Sequence, residues 1–489
     1  MSKIKKLAQQ TAIYGLSSIV GRFLNYLLVP LYTYNLPPSE YGIVTELYTY
    51  ISFLIIVLTY GMETGFFRFS ESKEDPKSVY RTSMSSLLTT STVFLLFVLL
   101  FYKNIAGAMD YGNYPQYILW LGIIISLDAF STIPFARLRK ENKAVRFAVI
   151  KIINIITNVG LNLFFIKLCP YLIEKNPESW VNIFYSGEIS VKYIFISNLI
   201  SSGVTIILLL PQILDTKPGI NTKLLKKMLK YSLPLLVAGL AGMVNETLDR
   251  ILLKIYLPGN HEYIMSQIGI YGANYKIAIL MTLFIQMFRY AADPFFFANA
   301  KEKDAHSTYA KVMKYFIISG LFIFLGVTLF IDIIKYFIGE SYHSGLKIVP
   351  VILLANLFLG IIYNLSIWYK LTNKTIFGAY LSIFGAIITI VLNIILIPKI
   401  GYMGSAWATL VCYFSMMIVS YLLGQKYFKV RYNLTSIAFY FTVAGIIYFT
   451  FNSISFSNKI TEFSVSSLLL MVFASIVYIK EKKKIKASF

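Results

Sequence analysis

The stretch GMVNETLDRILLKIYL, residues 242–257, closes an apolar run that begins at YSLPLLVAGLA (231–241) and stops at Pro258 and Gly259. It reads as the second half of a buried helix, yet it holds Glu246, Asp249, Arg250 and Lys254. Inside a bilayer each ionisable group costs about 2.5–3.5 kcal/mol on insertion scales. Whether the run is a membrane span, and why it carries charge, decides both fold and function.

The rest of the chain answers the first question. Its 489 residues are 57% hydrophobic and 14% charged, with a mean hydropathy of +0.66. A soluble domain carries about 25% charge. Apolar runs of about 20 residues recur throughout, each long enough to cross a ~30 Å hydrocarbon core. The expectation is an all-α polytopic membrane protein with fourteen transmembrane helices. These fall near 11–33, 41–65, 82–102, 115–136, 145–169, 190–213, 231–257, 267–298, 312–334, 348–369, 375–397, 402–423, 434–452 and 462–479. MSKIKK at the start lacks a small-residue cleavage site after its apolar run and reads as leading a retained first helix rather than a removed signal peptide.

The net charge of +22 sits almost entirely in alternate loops, such as RLRKENKAVR (137–146), TKPGINTKLLKKMLK (216–230), AKEKDAHSTYAKVMK (300–314) and QKYFKVR (425–431). Of the opposite loops, NLPPSEYG (35–42) carries no Lys or Arg and EKNPESWVNIFYSGE (174–188) is acidic. Topology determination by positive inner loops accounts for this bias, so nucleic acid is not a partner, and both termini are expected in the cytoplasm. Two cysteines without a motif and three scattered histidines offer no disulfide framework, metal site or catalytic cluster.

An internal repeat organises the spans. RFLNYLLVPLYTYNLPPSEYGIVTELYTY (22–50) lies over RILLKIYLPGNHEYIMSQIGIYGANYKIA (250–278), so that Arg22 meets Arg250 and, after a one-residue gap, Gly42 meets Gly269 and Tyr48 meets Tyr275. Six helices separate the copies, an even number that preserves orientation. Two six-helix lobes related by a pseudo-twofold along the membrane normal are expected. They are residues 1–225 (helices 1–6) and 226–425 (helices 7–12), with helices 13 and 14 and a basic tail at 426–489.

Polar stripes mark the candidate site. Thr11, Gly15, Ser18, Arg22 and Asn25 share one face of the first helix, with Arg22 near mid-membrane and no acid within a turn. Thr45, Glu46, Thr49 and Ser52 lie on the second. Lys151, Asn154, Asn158 and Asn162 run ~16 Å along the fifth. Glu246, Arg250 and Lys254 stand four residues apart on the seventh, beside Asp249, and the eighth carries Thr282, Gln286, Arg289 and Asp293. Asparagines in membrane helices also act as glue between helices, and Glu246, Asp249 and Arg250 are able to neutralise one another. With more cations than anions, the stripes suit a hydrated, electropositive cavity for a phosphate-bearing ligand. The candidate substrate-binding residues are Arg22, Asn25, Lys151, Asn154, Asn158, Arg250, Lys254 and Arg289; the candidate cation-coupling residues are Glu46, Asp249 and Asp293.

The order and spacing of LLVPLYTYNLPPSEYGIVTELY (27–48), LDRILLKIYL (248–257), GIYGANYKIAIL (269–280) and LIPKIGYMGSAWATLVCY (396–413) resemble the bacterial polysaccharide transporter family. These are the Wzx-type flippases of lipid-linked oligosaccharides, in the superfamily that also holds lipid II flippases and multidrug exporters. The likeness runs along nearly the whole chain and falls on Arg22, the Asp249–Arg250 pair, Gly269, Tyr271 and Tyr275. It implies an inner-membrane protein that moves an undecaprenyl-pyrophosphate-linked sugar repeat, such as an O-antigen unit of lipopolysaccharide, from the cytoplasmic to the periplasmic leaflet by alternating access. No cofactor is implied beyond a coupling H⁺ or Na⁺; partners would be the lipid-linked oligosaccharide, membrane lipid and other polysaccharide assembly proteins. A lipid II-type flippase has further charges in its first two helices that are thinner here. A cation exporter of this fold would favour carboxylates in its cavity, and a polymerase or acyltransferase would carry a large outer loop or a catalytic cluster that this sequence lacks.

Overall fold

The computed structural model describes residues 21, 23–300, 302, 304–456 and 458–486, except for the side chains of residues 293, 294, 298 and 483–486. Its elements are helices: α1 Phe23–Thr33, α2 Pro38–Thr59, α3 Met62–Ser70, α4 Pro76–Ala108, α5 Pro115–Lys140, α6 Ala144–Leu163, α7 Lys192–Leu214 and α8 Thr222–Tyr256. They continue as α9 His261–Ile277, α10 Ile279–Ala298, α11 Ala305–Leu329, α12 Val349–Leu365, α13 Ile376–Ile400, α14 Tyr402–Tyr427, α15 Leu434–Asn452 and α16 Lys459–Lys486. Among the described residues, twelve helical runs are long and apolar enough to cross a membrane, and the bent pair α9–α10 makes a thirteenth. Residues 11–20 and 22 of the first expected span (11–33) lie outside the described residues.

The distribution of polarity is that of a multi-pass membrane protein. On α4, Val93, Leu96, Phe97 and Leu100 are exposed, Leu100 by 75%, while Thr82, Ser83 and Ser86 are buried. On α7, Ser197, Ser201, Ser202 and Thr205 are buried while Ile207 is exposed. Water would penalise such outward apolar faces, whereas hydrocarbon does not, and packing against small polar residues then holds the helices together. The buried hydroxyls bond back to their own helices: Ser83 to the Val79 carbonyl at 2.8 Å and Ser197 to that of Tyr193 at 2.7 Å. These two donors are thereby satisfied without leaving their helices.

The described helices depart from the expected spans mainly at ends and breaks. α4 starts six residues before its apolar core because Pro76 follows Asp75, whose carboxylate accepts from the amides of Lys77 and Ser78 at 3.2 and 3.0 Å. The expected second span is two helices. Tyr60 and Gly61 take positive φ, +33° and +69°, and a Cβ on Gly61 would stand 2.9 Å from the Ser232 carbonyl of α8. Only glycine tolerates both the backbone angle and the approach. The expected eighth span begins earlier, at His261, and bends by 47° between α9 and α10. After α6, a π-helical turn at Phe164–Leu168 leads into a further short helix, Cys169–Lys175.

The chain divides into two compact units, residues 1–243 with 260–269, and residues 244–259 with 270–489. α8 passes from the first to the second between Met243 and Val244. In the first unit, α2 crosses the start of α9 at backbone contact: a Cβ on Gly42 would overlap the Met265 carbonyl, and one on Gly269 would overlap that of Pro38. These are the two glycines that the repeat aligned. In the second unit, α15 and α16 pack on α11, where Ser466 donates to the Leu329 carbonyl at 2.7 Å.

Candidate functional site

In the first unit, α2, α3, α5, α6 and α7 enclose a polar cavity of about 370 Å³. Two acids, Glu63 and Asp128, and two cations, Arg139 and Lys151, line it together with Asn154 and Asn198. Arg139 donates to Glu63 Oε1 at 2.5 Å. Ser202 hydrogen-bonds the Asp128 carboxylate, and the Lys151 ammonium faces that acid across the cavity. The Lys151 Nζ also lies 4.1 Å from the centre of the Phe135 ring, where the ring face favours a cation. Asn154 spends its amide on the Ser201 carbonyl and the Thr205 hydroxyl at 3.0 and 2.9 Å. Asn198 donates to the Tyr48 hydroxyl at 2.6 Å.

Asn158 lies outside this cavity. It accepts from Asn162 Nδ2 at 3.1 Å, and the Tyr32 hydroxyl of α1 donates to Asn162 at 2.9 Å. That ladder joins α1 to α6. Asn25 is exposed, and Arg22 lies outside the described residues. Glu46 is fully buried on α2 and accepts from the Tyr111 hydroxyl.

In the second unit the opening stretch shows its arrangement. Asp249 and Arg250 are 3% and 7% exposed. Arg250 Nη1 donates to Asp249 Oδ1 and to the Glu246 carbonyl, both at 2.7 Å. The other oxygen of Asp249 accepts from the Tyr271 hydroxyl. The guanidinium lies over the Tyr275 ring, 4.4 Å from its centre. Each partner of the buried pair is therefore desolvated but hydrogen-bonded, the condition under which such a pair survives in a low-dielectric interior. Glu246 is exposed and Lys254 half-buried. Arg289, on α10, stacks 3.9 Å from the centre of the Tyr363 ring; the Asp293 side chain lies outside the described ones.

The structure thus brings Lys151 and Asn154 into one cavity and ties Asp249 and Arg250 to each other, with Arg289 on a different helix of the same unit. Sequence reasoning missed Arg139–Glu63, the role of Tyr111 and Tyr271 as donors to buried acids, and Asn245. The last is buried on α8, donates to the Ser382 carbonyl at 3.0 Å and accepts from Thr389 at 3.4 Å. Its place one residue before Glu246 was the available signal. Among the described residues, no group of three or more His, Cys, Asp or Glu side chains is placed to hold a metal ion.

A family model described as polysaccharide biosynthesis protein matches residues 7–299. No curated protein matches the sequence. Among solved structures, the lipid II flippase MurJ in an inward closed conformation is similar at a TM-score of 0.66 and 16% identity, covering 97% of this chain and 99% of that one. An inward-facing multidrug resistance MATE family transporter of the MOP superfamily is similar at 0.64 and 15% identity, covering 85% and 94%. An outward-facing MATE family transporter reaches 0.58 at 14% identity, covering 85% and 94%. At these identities the likeness shows the fold.

Proposed function

The chain belongs to the polysaccharide biosynthesis protein family, and from that premise we propose that it flips a lipid-linked oligosaccharide across the bacterial inner membrane. The substrate is an undecaprenyl-pyrophosphate-linked repeat unit, carried from the cytoplasmic to the periplasmic leaflet by alternating access. The observation that supports this most is the placement of ionised groups on spanning helices of both units, in a chain of transporter fold. A static membrane protein has no need of Lys151, Arg250 and Arg289 on spanning helices, whereas a pyrophosphate and its sugars require polar surroundings on their way through. The guanidinium of Arg250 is buried, with Nη1 engaged by Asp249 and Glu246 and its face on Tyr275, so it would meet a passing phosphate in a conformation that opens this contact. Arg22, its partner in the repeat, takes the same role on the first helix.

Proteoliposomes test the reading. With a labelled polyprenyl-pyrophosphate oligosaccharide in the inner leaflet of the appropriate orientation, the protein should expose label to an external glycosidase, and protein-free vesicles should not. Arg22→Ala should abolish both this exposure and surface polysaccharide in cells while the protein still reaches the membrane. Unchanged polysaccharide in that variant removes the phosphate role. Transport of an organic cation with no lipid flipping would assign the chain to drug export instead.

A further inference from the structure

The second unit holds a second charged cavity that the transport reading does not use. It has a volume of about 490 Å³ and lies where the start of α11 meets the connector between α14 and α15. His306, Lys311, Lys314, Lys429 and Arg431 line it. Lys314 is neutralised within the protein, since its ammonium pairs with Glu481 of α16, which also accepts from Tyr440 at 2.7 Å. Lys311, Lys429 and Arg431 are different: all three are exposed, and among the described residues none has an ion pair. His306 is held by its Nδ1 at 2.8 Å from the Lys429 carbonyl, which ties the connector to α11 and gives the cavity a fixed floor.

Three uncompensated cations around a fixed hollow recognise phosphate. The setting says which phosphate. α11 and α15 are membrane-spanning helices, so their starts stand at the headgroup level. Beside the cavity, Leu434, Tyr315 and Phe439 present exposed apolar surface along the same helices, where acyl chains would lie. A soluble anion would make no use of that face, whereas a lipid uses both. The geometry points to a binding site for the headgroup of an anionic phospholipid in the leaflet that faces the basic loops, formed by Lys311, Lys429 and Arg431.

Basic pockets between spanning helices gain about 1 kcal/mol per cation from anionic lipid, so losing three should weaken binding on the order of 100-fold. The test is native mass spectrometry of the full-length protein in detergent, titrated with phosphatidylglycerol or with phosphatidylcholine. The wild type should bind phosphatidylglycerol in preference, and the triple variant Lys311→Ala/Lys429→Ala/Arg431→Ala should lose that preference with an unchanged melting temperature. If the triple variant does not fold, Lys429→Ala and Arg431→Ala alone should each weaken binding roughly fivefold. Equal binding of the two lipids by the wild type, or unchanged preference in the variants, would overturn the proposal. So would displacement of phosphatidylglycerol by millimolar inorganic phosphate, which would assign the cavity to a soluble anion. Retention of a polyprenyl pyrophosphate with no affinity for phosphatidylglycerol would also overturn it, making the cavity a loading point for substrate.

Discussion

Lys151 and Asp128 line one cavity of the first unit, where Asp128 is the main charge facing Lys151, while Asp128 itself is held first by the Ser202 hydroxyl and then by Lys151. The two charges interact across the cavity without forming a direct ion pair. Removing one leaves the other less compensated, at a cost below the figure of about 3–5 kcal/mol for a directly paired buried charge, and removing both is milder still. Asp128→Asn and Lys151→Met should therefore each lower the melting temperature modestly, and the double variant should lose less than the sum of the two. Additive losses would show that the two do not interact. Arg250 presents a second case. Its Nη1 serves two acceptors at 2.7 Å while the planar guanidinium lies on the Tyr275 ring; a lysine ammonium could serve the two acceptors but would lose the ring stacking and the further N–H groups. Arg250→Lys should keep part of the flipping rate and Arg250→Ala should lose it. If Arg250→Ala is silent and Asp249→Ala is dead, the acid is the working group and the arginine its counter-ion. The adjacency of Asp249 and Arg250 was legible in the sequence, and so was the chance of their pairing. Tyr271, which completes the pair, was marked by the family resemblance, but its role was not legible, because nothing in the chain states that its hydroxyl reaches back across 22 residues.

Between elements, the close crossing of α2 and α9 depends on two missing side chains. Gly42→Ala and Gly269→Ala each place a Cβ inside a facing backbone carbonyl, which cannot move aside as a side-chain tip can. Both should abolish accumulation of folded protein. Gly445→Ala on α15 is the control: nothing lies within 4 Å of its Cβ, and alanine improves helix propensity by about 1 kcal/mol, so its melting temperature should hold or rise. A further latch joins α5 to α7. Arg137 pairs with Asp215 and Glu141 and donates to the Gln212 carbonyl at 3.3 Å, and the hydrogen bond from Arg137 holds the exposed Asp215 carboxyl below its usual range. A lowered folded value means that stabilisation is present above the unfolded value, about 3.9, and is lost as pH falls through the folded one. The difference in melting temperature between wild type and Arg137→Ala should thus shrink on acidification below about pH 4. Spans were readable because hydropathy reports the apolar middle of a helix. Their ends were not, since Asp75–Pro76 and His261 lie in polar sequence that the same measure discards. Hydropathy was equally blind to the break at Tyr60–Gly61, which is set by the approach of Ser232 from 171 residues away.

At the scale of the molecule, the proposed flipping of a pyrophosphate-linked substrate needs a driving force. A pyrophosphate headgroup carries about two negative charges, and outward movement of each across 100 mV is favourable by ~2.3 kcal/mol in a membrane negative inside, so roughly 4–5 kcal/mol is available without a counter-ion. Potential alone would then suffice for a uniporter. Yet Glu46 and Asp249 are buried acids, one in each unit, each accepting a tyrosine hydroxyl, from Tyr111 and Tyr271. A uniporter would need Asp249 only as the counter-ion of Arg250, whereas an antiporter needs a site whose protonation or Na⁺ occupancy changes the stability of one conformation. Antiport is therefore the expected mode. In proteoliposomes at zero potential, an inward H⁺ or Na⁺ gradient should drive outward flipping, and Asp249→Asn or Glu46→Gln should make the rate independent of that gradient. An imposed potential with no ion gradient should drive little flipping in the wild type. Full flipping under potential alone, unchanged by either substitution, would establish uniport and leave the two acid–tyrosine pairs a purely structural role.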